Sequence, residues 1–286
     1  MNNQRVRSSC RLYVLVAAAA DVALVLRRGP SEWWHLLHWN LNTLTLTPGA
    51  WFHGSLYPRR SDISSDGLLF GYFALKGTAH SGWPDAYCAV SKAPWLEALV
   101  AWKTGGTWTG SCEFSPKGEL HISACMEQKP FFGDYPGSYS TGPMHTDWPK
   151  RDVWNEIKRG WRFAAPDDPI VAAVPGQPNL VLRRERPAPN EGVTLGLIHK
   201  GVDFRQPGIE GVQLEYFLQD SPADFVPVAD AAWADWDHQG RLLMATHSGE
   251  LAVCECRGTQ LNRVWSEDLR DRTPNPQPAP EWASRW

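Results

Sequence analysis

At 286 residues, 43% hydrophobic and 21% charged, the chain has the bulk of a globular protein and can bury a sizeable core. A formal net charge of −3 and a pI near 6.3 exclude a basic field for nucleic acid, whose binding rests on neutralising phosphates. The six Cys, at 10, 88, 112, 125, 254 and 256, show no C-x-x-C spacing, so neither a metal nor another cofactor is expected, and the thiols read as structural groups of a reducing compartment.

From the N-terminus, Arg5, Arg7 and Arg11 lead into an apolar run from Leu12 to Ala20. Ala18 and Ala20 before Asp21 match a secretory cleavage site. The preferred reading is a β-hairpin turning at Ala18 to Asp21, because a second apolar run, Val22 to Leu26, comes at once. Nine apolar residues are too few to cross a bilayer, so no membrane span is expected. The chain is expected in the cytoplasm, or outside the cell if residues 1–20 act as a signal. An aromatic-rich stretch is next, with Trp33, Trp34, His35, His38, Trp39 and Trp51.

Then comes the turn Asp62-Ile63-Ser64-Ser65-Asp66-Gly67-Leu68-Leu69, with strand-like runs from Leu68 to Lys76, Tyr87 to Lys92 and Ala98 to Lys103. It returns as Glu113-Phe114-Ser115-Pro116-Lys117-Gly118-Glu119-Leu120, with a strand from Glu119 to Met126. The segment from Gln128 to Lys150 is too rich in Gly and Pro for regular structure, yet too aromatic for a disordered linker. A short helix is expected from Asp152 to Arg159. A weaker copy of the turn, Phe163 to Ile170, precedes strands at Ile170 to Val174, Asn179 to Arg186 and Val193 to His199. The last copy, Asp235-Trp236-Asp237-His238-Gln239-Gly240-Arg241-Leu242, leads into Arg241 to His247 and Leu251 to Cys256. Pro274, Pro276, Pro278 and Pro280 give the end of the chain a polyproline character, with Trp282 and Trp286 able to pin it to the domain or to a partner. Residues 1–271 read as one domain and 272–286 as a Pro-rich tail.

Positions 18, 64, 115, 165 and 237 of these copies stand 46, 51, 50 and 72 residues apart. A period near 50 marks a repeat architecture, and each unit reads as strand, tight turn, strand. A sandwich or barrel has no reason to hold one motif at that spacing. On this motif the chain resembles the WD-repeat and related β-propeller superfamily, in which a Ser-x-Asp-Gly type turn joins the innermost strand to the next. The resemblance implies an all-β chain: a single β-propeller of five blades, about four antiparallel strands each, with the aromatic loop inserted in the third.

The chemistry is less legible. Gly105-Gly106 lacks the Lys and helix of a phosphate loop, and no G-x-S-x-G or H-E-x-x-H motif occurs. Asp62, Glu113 and Asp235 hold one equivalent position, so a propeller would set them around one ring. Five-bladed glycosidases use such carboxylates as acid and as nucleophile or base. Beside polar turns, however, Asp and Glu more often satisfy backbone donors. The 16 Trp suggest sugar stacking, but the aromatics do not repeat in register as a lectin's equivalent sites would require. The expected function is therefore a non-catalytic binding platform, a subunit of a larger complex with a protein partner, because a rigid propeller leaves its loops free to vary. A glycan-binding propeller and a glycosidase-like hydrolase are the alternatives. Phe131, Phe132, Tyr135, Tyr139 and Trp148 of the long loop are the expected anchors, because blade packing does not require them.

Overall fold

The recurring turn closes through the same hydrogen bonds in each of its three full copies. In the computed structural model, which describes residues 10–29, 32–75, 82–106, 110–123, 127–142, 148–168, 171, 180–187, 192–205, 209–221 and 224–286, Ser64, Ser115 and Asp237 head these turns. Gly67 N–H donates to Ser64 O at 2.9 Å, Gly118 N–H to Ser115 O at 2.9 Å, and Gly240 N–H to Asp237 O at 3.1 Å. The side chain of each head residue then accepts from the strand that leaves the turn. Leu69 N–H donates to Ser64 Oγ at 2.9 Å, Glu119 N–H to Ser115 Oγ at 3.1 Å, and Arg241 N–H to Asp237 Oδ1 at 2.8 Å. The glycines have φ of +78°, +83° and +72°, the left-handed region that a Cβ disfavours.

Two compact units divide the chain: Val14–Arg151 with Thr273–Trp286, and the segment ending at Tyr13 with Asp152–Arg272. In the first, β1 (Arg11–Val16), through which the division passes, β2 (Val22–Arg28), β3 (Trp33–Asn40) and β4 (Thr45–His53) make a sheet in chain order. The apolar run at residues 11–16 is thus a strand against β2. A second sheet starts from β5 (Ser55–Leu56) and β6 (Asp62–Ile63), both paired with β7 (Leu69–Leu75), and continues through β8 (Ala86–Lys92) and β9 (Val100–Lys103). β10 (Ser111–Phe114) and β11 (Leu120–Ser123) open a third. The chain then returns as β12 (Phe132–Gly133), antiparallel to β9, and goes back as β13 (Tyr139–Gly142), parallel to β11. The long loop was expected to lack regular structure. Its backbone instead finds partners on two existing sheets, which compensates for its Gly and Pro content.

Two short helices, α1 (Trp148–Asp152) and α2 (Trp154–Lys158), replace the single helix expected from Asp152 to Arg159. In the other unit, β14 (Arg162–Phe163), β15 (Leu180–Glu185), β16 (Thr194–Val202), β17 (Val212–Ser221) and β18 (Asp224–Pro227) form a fourth sheet. A fifth contains β19 (Ala231–Trp236), β20 (Leu242–Thr246), β21 (Glu250–Arg257) and β22 (Gln260–Asp268). The spacing of 72 arises from the long pair β16 and β17 and from the extra edge strand β18. Most of the strand expected at Ile170 to Val174 lies outside the described residues. Leu24 to Arg28 and Leu180 to Arg184, nearly identical in sequence, prove to be the second strands of their sheets.

The described chain is therefore all-β, in largely antiparallel sheets whose strands succeed one another along the sequence, apart from the return of β12 to β9 and the parallel entry of β13. Its Trp residues are in part core. Trp102 packs among Phe73, Cys88, Cys112, Phe114 and Ile122 in one unit, and Trp236 and Trp161 among Leu182, Leu197 and Leu218 in the other.

Two substitutions separate the parts of the turn's contribution. A Cβ on Gly118 meets no atom within 4 Å, so Gly118→Ala carries only the backbone cost, about 1–2 kcal/mol. At roughly 2–4 °C per kcal/mol this is a drop of a few degrees in Tm. A Cβ on Gly67 stands 2.2 Å from Val22 Cγ2, so Gly67→Ala is expected to lower Tm further. Calorimetry showing neither variant destabilised would mean that the turns do not need left-handed residues.

Candidate functional site

The three carboxylates at the equivalent position meet different surroundings. Asp62, at the start of β6, is buried and accepts from Ile63 N–H at 3.0 Å and Phe114 N–H at 2.7 Å. It therefore ties β6 to β10 through backbone donors. Asp235, on β19, is 1% exposed. Its Oδ2 accepts from Arg159 Nε at 2.7 Å, and its Oδ1 from Arg184 Nη1, from Trp161 Nε1 at 3.2 Å and from Trp236 N–H at 2.8 Å. Burial raises its pKa, but the Arg184 and Arg159 guanidiniums outweigh burial and hold it below the ordinary carboxylate value. Such a group stays charged and is engaged by four donors, at a position closed to solvent. Glu113, on β10, is half-buried and accepts only from Ser111 Oγ, at 3.2 Å, among its described partners.

Asp235→Asn would leave two guanidiniums buried without their counter-charge, and is expected to cost about 3–5 kcal/mol. The pH dependence comes from the depressed pKa. The pairing stabilises fully above the unfolded-state carboxylate pKa of about 3.9, and its contribution disappears as pH falls through the lower folded value. Acid unfolding should therefore steepen below about pH 4 in the wild type and be flatter in Asp235→Asn. Acid limbs of equal slope would contradict this assignment.

The loop aromatics are placed by β12 and β13. Phe131 and Phe132 lie against Trp83, with ring centroids 5.1 and 5.2 Å apart. Tyr139 meets Trp102 at 5.2 Å, and Tyr135 stands between Tyr139 at 6.3 Å and Trp286 at 5.5 Å. The indole of Trp286 donates to Asp134 O at 2.8 Å, and Lys92 Nζ donates to Trp282 O at 3.0 Å, so the tail closes one side of this aromatic group. Phe131, Phe132, Tyr139 and Trp286 remain 39, 44, 36 and 43% exposed, so each keeps part of its ring open to solvent. Trp148 falls in α1, and its side chain lies outside the described ones.

On the face of the sheet opposite to Tyr139, the pairing of three strands lines up reactive side chains that no sequence motif singles out. His121 on β11 is opposite Glu113 on β10 and opposite Ser140 on β13, so all three side chains share one face of the sheet. His121 Nδ1 and Ser140 Oγ are 2.9 Å apart. Ser140 is exposed and His121 half-buried. Gly142 leaves room for the ring, since a Cβ there would come within 3.1 Å of His121 Cε1. Sequence reasoning misses the pair because its members are 19 residues apart and meet only through the parallel pairing of β13 with β11, which no local pattern signals. Among the described residues, no group of three or more His, Cys, Asp or Glu could hold a metal ion.

No family model and no curated protein matches the chain. Solved structures that align with it include hydrazine synthase from Kuenenia stuttgartiensis, at 11% identity and a TM-score of 0.36, covering 89% of this chain and 80% of that one. A putative 6-phosphogluconolactonase from Bacteroides fragilis aligns at 12% identity and a TM-score of 0.29, covering 94% of this chain and 98% of that one. A periplasmic gluconolactonase from Pseudomonas aeruginosa aligns at 15% identity and a TM-score of 0.31, covering 91% and 85%. Two of the three are named as lactonases, hence as hydrolases. The expectation of a non-catalytic interaction platform is corrected on that finding. Within the chain, the loop aromatics on which the platform rested pack on Trp83, Trp102 and Trp286 of the same unit. The likeness extends no further, and neither substrate nor residue roles carry over at these scores.

Proposed function

We propose that the chain is a hydrolase of ester-type bonds, lactones included, with His121 as general base and Ser140 as nucleophile. The observation that carries this reading is the 2.9 Å contact between His121 Nδ1 and Ser140 Oγ at an accessible position. A serine hydroxyl is a weak nucleophile until a base takes its proton. In the proposed reaction Ser140 Oγ attacks the carbonyl carbon and its proton passes to His121 Nδ1. The departing alkoxide takes that proton as its bond to the acyl carbon breaks. Water then attacks the acyl-enzyme, giving one proton to the imidazole, which returns it to Ser140 Oγ. Glu113, across the strand pair, is the carboxylate positioned to offset the charge of the imidazolium that forms. Asp62 and Asp235 have no part in this scheme, since both are buried and engaged by structural donors.

The exposed rings of Phe131, Phe132 and Tyr139 form a separate surface, since Tyr139 and Ser140 alternate to opposite faces of β13, and such rings stack on the C–H faces of sugars. Binding of a glycan without turnover is the second reading, and these half-open rings favour it. At the level of the fold, the five sheets of the described residues are read as five blades, one sheet to a blade.

Purified full-length protein is expected to turn over at least one of a panel of sugar lactones and aryl esters. Ser140→Ala and His121→Ala should each lower kcat/KM by about 100-fold or more, and Glu113→Gln by less. Wild-type protein inert toward the whole panel, or Ser140→Ala at full activity, would remove the hydrolase reading. Saturable glycan binding by that inert protein would leave the second.

A further inference from the structure

The unit that carries the fourth and fifth sheets contains a cleft that shares no residue with the site above. It has a volume of about 190 Å3, below the roughly 300 Å3 at which sites for drug-sized ligands begin, so its occupant must be small. Apolar side chains of β16, β17 and β18 make its walls, among them Ile198, Phe217 and Phe225. The rings of Phe217 and Phe225 stack at 4.2 Å and 27°; Phe217 is buried beneath this contact, and the half-buried Phe225 is the ring of the pair that stays partly open. The ionisable lining residues are Glu215, Asp230 and His247, and neither Lys nor Arg lines the cleft.

The two carboxylates are only partly occupied. Glu215 Oε2 meets Lys200 Nζ at 3.1 Å, with both side chains well exposed, and a pair of that kind is easily exchanged. Asp230 Oδ2 accepts from Ser248 Oγ at 2.9 Å, which leaves several lone pairs unused. Asp230 also has a φ of +60°, uncommon for a residue other than Gly. The backbone is held there by the His247 N–H donated to Asp230 O at 2.9 Å, the same bond that brings His247 to the rim. Non-Gly residues kept in this region gather at ligand-binding positions.

We propose that the cleft binds a small organic cation with a flat apolar body, of the aryl-alkyl amine class. The apolar part fills the space beside Phe217 and Phe225, and the ammonium group reaches Asp230, with Glu215 as its second acceptor. A hydrated metal ion fits poorly, because most of the lining cannot replace its water. A neutral molecule of the same shape fits the walls but leaves the carboxylates without a new partner.

Isothermal titration of full-length protein with phenethylamine, and with phenethyl alcohol as the neutral counterpart, tests this assignment. The amine is expected to bind saturably, and the alcohol at least ten-fold more weakly. Asp230→Asn keeps a residue that tolerates the left-handed conformation, so the fold should persist while amine affinity falls at least ten-fold. Glu215→Gln should weaken binding by less. The proposal is overturned if the amine shows no binding at millimolar concentration, if amine and alcohol bind alike, or if Asp230→Asn binds the amine as the wild type does. None of these readouts depends on turnover, so they stand or fall apart from the hydrolase reading.

Discussion

The closure of one short turn constrains the strands on either side of it. A head residue whose side-chain oxygen accepts from the departing strand, together with a glycine at positive φ, brings the second strand of a sheet back against the first at a fixed offset. Because side chains alternate across a strand, a slip of one residue would turn every core-facing residue toward solvent. The buried runs of β7, β11 and β20 thus depend on Ser64, Ser115 and Asp237 as much as on their own apolar content. The first full copy holds one more residue inside its closing bond than the other two, and that residue, Leu68, is 64% exposed. The turn absorbs the insertion without changing the strand pair.

The same constraint explains why two of the three equivalent carboxylates are buried among structural donors. A residue two positions before the head of the turn lies at the end of the first strand, where neighbouring backbone and side chains converge. Asp62 there accepts two backbone N–H groups, and Asp235 accepts two guanidiniums, an indole and a backbone N–H. Glu113 differs, accepting from Ser111 Oγ on its own strand and staying half-buried. A buried carboxylate with this many donors is a fastener, and the energy of breaking it is the energy of stranding its partners.

Accessible reactive groups gather where the repeat departs from its pattern. The third sheet has only two antiparallel strands before the chain crosses to β9 and returns, and its third strand enters parallel. That return places Ser140 against His121 and Tyr139 against Trp102. Loops that leave a regular scaffold are free to carry function because the scaffold does not need them for its own register. Here the loop is also held at both ends, by the pairing of β12 and β13 and by the tail through Trp286, so its side chains are fixed in place.

Much of the fold was legible in the residues themselves, because its signals are local. Turns headed by Ser or Asp and closed by Gly, at a spacing near 50, mark the first-to-second strand connections at Gly67, Gly118 and Gly240, and the hairpin at residues 11 to 28 arises from two adjacent apolar runs. The site was not legible in the same way. Whether Asp235 is a reactive acid or a buried anchor depends on Arg159 and Arg184, 76 and 51 residues away, and a carboxylate carries no mark of the charges that will surround it. The long loop reads locally as irregular because Gly and Pro are judged by the hydrogen bonds they cannot make with near neighbours, whereas its partners are the edges of sheets formed by other segments. Local sequence determined where this chain turns and which strands are apolar. Only the tertiary structure decided which charged and hydroxyl groups meet, because those meetings are set by pairings between strands distant in sequence, with an energy that no single stretch contains.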